Sequence, residues 1–181
     1  MHLCLAHLAA QRTLLEHYRA RSRFTTLDVL FVSGEEPTNT DVPALTTMAD
    51  VFLPSWSEVH QLWPGMGPLA ALRHLIAGGC RCAVIKMGAG GSVASDGSQM
   101  VLMPPLPVRV VDTTGAGNAF CGAFHVTWRE SSDLVHALSS GAAAASVVIE
   151  GFGGLHALTE GSLERVAERS QIGLETHRPL R

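Results

Sequence analysis

One stretch combines residue types that suit the binding of a phosphate. It consists of Asp112, Thr113, Thr114, Gly115, Ala116, Gly117 and Asn118. Apolar residues then recur three and four positions apart, which predicts a helix from near Gly117. The first N–H groups of a helix have no partner within it, and the helix dipole favours an anion there. Gly115 and Gly117 let the backbone approach a ligand closely, and the hydroxyls of Thr113 and Thr114 add polar contacts.

Two other glycine-containing motifs do not match the residues of this turn. A dinucleotide-binding motif requires Gly where Phe120 stands. A Walker A loop counted from Gly117 requires Lys and then Ser or Thr, where Ala123 and Phe124 stand. The alternating residues Val108–Val111 predict a strand before the turn. The spacing of these residues alone is equally compatible with a tight strand-to-helix turn that binds no ligand.

The longer string D-T-T-G-A-G-N-A-F-C-G-A-F resembles the C-terminal signature of the ribokinase-like (PfkB) family of sugar kinases. The resemblance implies that the amides of Gly115, Ala116 and Gly117 form an anion hole for the transferred phosphoryl group. It also implies that Asp112, Thr113 and Thr114 contribute to cofactor binding. The implied cofactors are ATP and Mg²⁺, with K⁺ as a further candidate.

Asn118 stands where the family signature has the Asp that removes a proton from the substrate hydroxyl. An amide can hydrogen-bond but has no useful basicity at neutral pH. General-base catalysis is typically worth about 10²–10⁴ in rate, so the resemblance implies a weakened kinase. The sequence is also similar in this respect to a fungal branch of the family, related to a killer-virus maintenance protein, which carries Asn here.

Other candidate site residues follow from the same resemblance. Pro54-Ser55-Trp56-Ser57-Glu58 resembles the Pro-Asn-x-x-Glu motif that organises magnesium, which makes Glu58 and Ser55 the candidate metal residues. Without the family, Ser55 reads as a helix N-cap. The remaining implied nucleotide contacts are Lys86, Gly88, Gly91, Gly141 and Gly153. Instead of a nucleotide contact, Lys86 could equally be a solvent-facing residue at the end of a strand. Gly141 could equally serve tight packing of its helix.

Alternating strands and helices predict an α/β fold with a mostly parallel sheet. The resemblance, over residues 27–154, implies a three-layer ribokinase-like sandwich that lacks the N-terminal part of that fold. We expect one partial nucleotide-binding domain over residues 1–181, with 174–181 as a candidate disordered tail. Further predictions are an amphipathic helix over residues 3–20, a buried strand at Leu27–Ser33, a hairpin of Gly91–Ser95 with Gln99–Met103, and a last short helix at Ser162–Arg169. Ligands of such sheets gather at the carboxyl ends of the strands.

The composition limits the classes of partner. With 46% hydrophobic residues over 181, the chain can build a core. A net charge of -3 and a pI near 6.3 argue against nucleic acid or an acidic membrane as partner. Scattered cysteines and the lack of a signal peptide pattern predict a cytoplasmic protein. The expected partners are a nucleotide, an unidentified sugar or nucleoside, and a second copy or another chain that covers an exposed sheet edge.

Three functions are compatible with these observations. The first is an ATP-dependent carbohydrate or nucleoside kinase domain that is weakened by Asn118. The second is a catalytically inactive nucleotide-binding pseudokinase with a regulatory role. The third is a truncated gene product.

Overall fold

The computed structural model describes residues 1–5, 8–29 and 41–180. The Gly, Pro and Asn residues at positions 34–39 predict a turn, and this turn lies outside the described residues, as does the end of the strand predicted at Leu27–Ser33. The chain divides into two compact units. The first unit comprises Met1–Met87 and Val93–Met100, and the second comprises Gly88–Ser92 and Val101–Arg181. The single domain over residues 1–181 stays a prediction.

The first unit contains parallel strands that pair in chain order. They are β1 (His2–Leu5), β2 (Thr26–Val29), β3 (Val51–Phe52) and β4 (Ala83–Lys86). β2 and β3 are buried throughout, as expected of parallel strands that are covered on both faces. The buried strand predicted from Leu27 is confirmed over its described part.

The helix predicted over residues 3–20 is wrong in its first part, because His2–Leu5 form β1. Leucines at positions 3 and 5 fit one face of a strand as well as a helix turn, and pairing with β2 decides between them. Helix α1 spans Leu8–Tyr18. Its Leu15 is fully buried, so the predicted amphipathic helix is confirmed from Leu8 onward.

Further helices of the first unit are α2 (Asp41–Thr46), α3 (Trp56–Leu62) and α4 (Pro68–Ala77). α4 starts with Pro68 directly after Gly67, because a missing N–H costs nothing at the first helical position. It ends at Gly78 and Gly79, and Gly79 has a φ of +96°.

The predicted hairpin is confirmed as β5 (Ser92–Ser95) and β6 (Met100–Met103). Asp96 Oδ1 accepts the N–H groups of Ser98 and Gln99, both at 2.9 Å, and Gly97 has a φ of +84°. At its other end, Gly91 has a φ of +80°, and a Cβ there would lie 2.1 Å from the carbonyl oxygen of Met103. Only glycine fits that position.

The second unit contains α5 (Ala116–Ser131), α6 (Leu134–Val148), α7 (Ser162–Thr176) and β7 (Arg178–Leu180). Asp133 is the N-cap of α6, and its carboxylate accepts the N–H of His136. α7 continues past the predicted end at Arg169. Residues 174–180, the candidate tail, lie at the end of α7 and in β7.

The strand predicted at Val108–Val111 is wrong. Three nearby prolines, Pro104, Pro105 and Pro107, have no N–H to offer a sheet. The N–H groups of Val111 and Asp112 both bind the carbonyl oxygen of Ile149, at 2.8 and 3.3 Å. The end of this segment is therefore irregular chain that lies beside the end of α6, and Val110 is 56% exposed to solvent.

The predicted α/β class with a mostly parallel sheet is confirmed. Within the described residues of the first unit, the sheet runs from β1 to β4 in chain order. Among the helices of the described residues, none has the length and apolarity that crossing a bilayer requires.

Candidate functional site

The turn before α5 is the first part of the candidate site, and it lies in the second unit. Gly115 is the N-cap of α5 and has a φ of +85°, without a side-chain cap. The N–H of Ala116 binds the carbonyl oxygen of Thr113 at 3.2 Å. Within the described residues, the N–H groups of Gly117 and Asn118 have no acceptor. Two amides at the start of a 16-residue helix are thus available for an anion.

Asp112 fixes the shape of this turn. Its Oδ1 accepts the N–H of Thr114 at 2.9 Å and the hydroxyl of Thr114 at 2.7 Å. Its Oδ2 accepts the N–H of Gly153 at 3.0 Å. These bonds, that from Gly153 first, lower the pKa of Asp112. The side chains of Asp112 and Thr114 are thus engaged within the protein, whereas that of Thr113 is exposed.

The two glycine turns of the second unit lie backbone to backbone. A Cβ on Gly115 would lie 3.1 Å from Cα of Gly154. Gly153, which binds Asp112, has a φ of +67° and open space at its Cβ position. The structure therefore brings the predicted residues Asp112–Asn118 and Gly153 together.

Gly141 is buried in α6, where the ring of Phe120 occupies the space beside it. A Cβ at Gly141 would lie 3.1 Å from that ring. On α5, the Phe120 ring stacks on Phe124 at a centroid distance of 6.3 Å, and Phe124 on Trp128 at 5.7 Å. The absence of a side chain at Gly141 is therefore explained by helix packing, and its predicted adenine contact stays a prediction.

Gly88 and Gly91 lie in the turn that follows β4. Gly88–Gly90 form one turn of 3₁₀-helix, and the N–H of Gly91 binds the carbonyl oxygen of Gly88 at 3.0 Å. Gly88 is exposed. Gly91 is required by the hairpin, and a nucleotide contact of either glycine stays a prediction.

Ser55 and Glu58 form a capping box at the start of α3, in the first unit. The N–H of Glu58 binds Ser55 Oγ at 3.4 Å, and the N–H of Ser55 binds Glu58 Oε2 at 2.6 Å. The predicted N-cap is confirmed. Burial raises the pKa of Glu58, and the hydrogen bonds from Ser55 oppose this shift. Glu58 Oε1 accepts no hydrogen bond from the described residues.

Lys86 lies at the end of β4, where its Nζ donates to Asp28 Oδ2. The two side chains are 13% and 7% exposed. Asp28 is not among the site residues predicted from the sequence. A carboxylate inside the apolar segment Leu27–Ser33 was the available signal, because a buried charge requires a partner. The predicted phosphate contact of Lys86 stays a prediction.

The carboxylate of Glu58 and the amides at the start of α5 suit the implied cofactors. A carboxylate such as Glu58 with one uncommitted oxygen suits Mg²⁺, which keeps most of its waters and needs few protein ligands. The described residues contain no group of three or more potential metal ligands, so such an ion would depend on water and phosphate for its other positions. The amides of Gly117 and Asn118 suit a phosphate. The side chain of Asn118 is exposed and offers no proton acceptor of useful basicity.

Comparison with known proteins gives a family and a fold. The model of a family described as pfkB family carbohydrate kinase matches residues 8–160. Fructoselysine 6-kinase of Escherichia coli is 34% identical over 79 residues, which cover 44% of this chain and 30% of that protein. Ribokinase of Bacillus subtilis is 45% identical over 69 residues, which cover 38% of this chain and 24% of that protein.

A solved structure confirms the ribokinase-like architecture. It is a candidate ribokinase II of Escherichia coli in complex with ATP and Mg²⁺, with a TM-score of 0.75 and 21% identity. The similarity covers 94% of this chain and 58% of that one. The chain thus spans little more than half the length of this solved relative.

Proposed function

Because the chain belongs to the pfkB family of carbohydrate kinases, we propose that it is the nucleotide-binding part of an ATP-dependent sugar or nucleoside kinase. The observation that carries the proposal is the pair of N–H groups at Gly117 and Asn118, which have no acceptor among the described residues. Phosphoryl transfer depends mainly on positioning and charge stabilisation. Amides at the start of α5 supply both for a phosphate.

Each proposed group has a role that its chemistry allows. Gly115 gives the turn its left-handed backbone, and Gly117 and Asn118 donate to phosphate oxygens. Glu58 would hold Mg²⁺ through its uncommitted oxygen, with Ser55 orienting the carboxylate from its backbone N–H. The ion would neutralise negative charge on the phosphates. Asp112 keeps the turn in shape. A K⁺ site and the other glycine contacts remain part of the proposal without a carrying observation.

Asn118 defines the second candidate function. Its exposed side chain occupies the base position of the family signature but cannot take a proton. A nucleotide-binding pseudokinase would have the same anion site and no turnover. A weakened kinase would retain transfer at a rate reduced by about 10²–10⁴.

The proposed surroundings follow from chemistry. Cys80 and Cys82 are buried free thiols, which suits the reducing cytoplasm. Fructoselysine 6-kinase and ribokinase act on sugars or sugar derivatives by their names, so we propose a sugar hydroxyl as phosphate acceptor. We further propose that a second copy or another chain covers an edge of the sheet.

Calorimetry of ATP with Mg²⁺ tests nucleotide binding, and turnover of Asn118→Asp on a panel of sugars and nucleosides separates the two functions. We expect ATP to bind and the variant to gain about 10²–10⁴ in rate, because a carboxylate restores the base. Gly122→Ala on the same helix is a control, since no atom lies within 4 Å of its Cβ position. Absence of heat at millimolar nucleotide contradicts the binding proposal. Binding without turnover in Asn118→Asp favours the pseudokinase.

A further inference from the structure

The backbone of Gly153, in the second unit, is held by side chains on both of its polar groups. Its N–H donates to Oδ2 of Asp112 at 3.0 Å, and its carbonyl oxygen bonds to Nδ1 of His156. Gly153 has a φ of +67°. Glycine loses more conformational freedom on folding than any other residue, so its backbone needs such restraints to keep one conformation. Asp112 and His156 supply them.

The hydrogen bond fixes which ring nitrogen of His156 carries a proton. A carbonyl oxygen can only accept, so Nδ1 must be the donor. Nε2 has no hydrogen-bond partner among the described residues, and the side chain is exposed. Loss of the bond to Gly153 would therefore release the imidazole from its only hydrogen bond within that part of the chain.

The ring of His156 also lies against Gly151. A Cβ built on Gly151 would lie 2.5 Å from Cδ2 and 2.6 Å from Nε2 of the imidazole. Side chains do not approach so closely, so even alanine at this position would displace the ring. Gly151 is not among the glycines with a positive φ. The space that the ring needs therefore explains why this position lacks a side chain.

The restrained peptide adjoins the turn of the candidate phosphate site. Gly154 follows Gly153 directly, and a Cβ on Gly115 would lie 3.1 Å from Cα of Gly154. Gly115 is the N-cap of α5, and the N–H groups of Gly117 and Asn118 lie in the first turn of that helix. Because no side chain separates the two glycine turns, a displacement of Gly153 would be transmitted to the start of α5.

We propose that His156 is a positioning residue of the phosphate site, which holds Gly153 through Nδ1 and thereby keeps the amides of Gly117 and Asn118 aimed at the terminal phosphates of a nucleotide. The inference rests on the proposed function, because it takes these amides as the phosphate donors. His156 acts together with Asp112, each on one polar group of Gly153. It works through the backbone and not by contact with the nucleotide.

The proposal predicts which substitutions weaken ATP binding. His156→Ala removes the hydrogen bond, and Gly151→Ala displaces the ring that makes it. Each should raise the Kd for ATP about three- to tenfold, the usual effect of one hydrogen bond. The Kd for AMP, which lacks the terminal phosphates, should stay nearly unchanged.

Conservative variants of His156 test the role of Nδ1 itself. His156→Asn should restore the wild-type affinity for ATP, because its amide nitrogen is as many bonds from Cα as Nδ1 is. His156→Gln carries its amide nitrogen one bond further out and should not restore it. In the double variant Gly151→Ala/His156→Ala the two losses should not add, since both act through one hydrogen bond.

The test is isothermal titration calorimetry of the 181-residue chain with ATP and with AMP, both in the presence of Mg²⁺. His136→Ala is the matched control, because His136 is exposed on α6 and its side chain has no hydrogen-bond partner among the described residues. This variant should bind both nucleotides as the wild type does.

Two results would overturn the inference while the wild type still prefers ATP to AMP. One is wild-type ATP affinity in His156→Ala, and the other is an equal loss of affinity for both nucleotides, which a purely structural role would cause. Should His156→Ala not fold, the comparison of His156→Asn with His156→Gln decides, and equal ATP affinity in these two would contradict the role of Nδ1. Failure of the wild type to bind ATP, or to prefer it to AMP, would instead overturn the proposed function.

Discussion

Asp112 shapes the turn before α5 through hydrogen bonds within the protein. It accepts hydrogen bonds from Thr114 and Gly153, and these donors lower its pKa. The turn that carries Gly117 and Asn118 depends on these bonds for its shape. The family signature assigns Asp112 to cofactor binding, but its oxygens are already engaged, so we assign it the task of holding the amides in place.

Asp112→Asn should therefore weaken ATP binding in calorimetry and lower the melting temperature. An amide offers one accepting oxygen where the carboxylate offers two, so the bond from Thr114 or that from Gly153 is lost. Asp96→Asn, in the turn between β5 and β6, removes a similarly bonded carboxylate and is the control for ATP affinity. Equal losses of affinity in the two variants would contradict the assignment.

The lowered pKa of Asp112 also fixes the sign of a pH effect. Its charged form stabilises the folded chain above the ordinary Asp value of 3.8, and this contribution is lost as the pH falls through the lower folded value. The difference in melting temperature between wild type and Asp112→Asn should shrink in that acidic range. A difference that grows on acidification would contradict this sign.

At the scale of elements, α3 has a start that its own residues specify. Ser55 and Glu58 exchange hydrogen bonds across the first turn, and the pattern Ser-x-x-Glu is sufficient to predict this from sequence. The cap also orients the carboxylate that we propose for Mg²⁺. Helix stability and the proposed metal binding thus depend on the same residues.

Ser55→Ala should lower the free energy of unfolding by about 1 kcal/mol, because the N–H of Glu58 loses its acceptor. For a chain of this size that corresponds to a drop of roughly 2–4 °C in melting temperature, measured by circular dichroism. Ser57 is exposed, and its Oγ shares a 2.8 Å hydrogen bond with Ser55 Oγ but accepts no backbone N–H, so Ser57→Ala should change it by less than half as much. Equal effects would show that the cap contributes little.

Local signals explain which elements could be predicted. The hairpin and the N-cap at Ser55 could be predicted, because each depends on residues that lie close together in sequence. β1 was not predicted, because its leucines fit helix and strand equally and only pairing with β2 distinguishes them. The strand predicted at Val108–Val111 does not form for a related reason, because an alternating sequence pattern does not by itself provide a neighbouring strand to pair with. The pair of Lys86 and Asp28 joins residues 58 positions apart, beyond the reach of any local pattern.

At the scale of the whole molecule, the chain consists of two compact units and spans 58% of a solved relative. Candidate residues lie in both units, Ser55, Glu58 and Lys86 in the first and Asp112–Asn118 with Gly153 in the second. Ligand binding is therefore best measured on the complete chain. A ligand that binds only the folded chain stabilises it by mass action.

ATP with Mg²⁺ at about 100 times its Kd should stabilise the folded chain by about 2.7 kcal/mol. This corresponds to a rise of roughly 5–10 °C in melting temperature, measured by differential scanning fluorimetry. AMP lacks the terminal phosphates and serves as the matched nucleotide at the same concentration, with a smaller expected rise. An equal rise in melting temperature with AMP would show that binding does not depend on the terminal phosphates.

The contact between Gly115 and Gly154 has a consequence for how the protein can vary. Where two main chains touch without side chains between them, neither can change its course alone. A residue inserted in either turn would displace the other, so natural variation should alter both turns together or leave both untouched. This pair of turns is then expected to be inherited as a single unit.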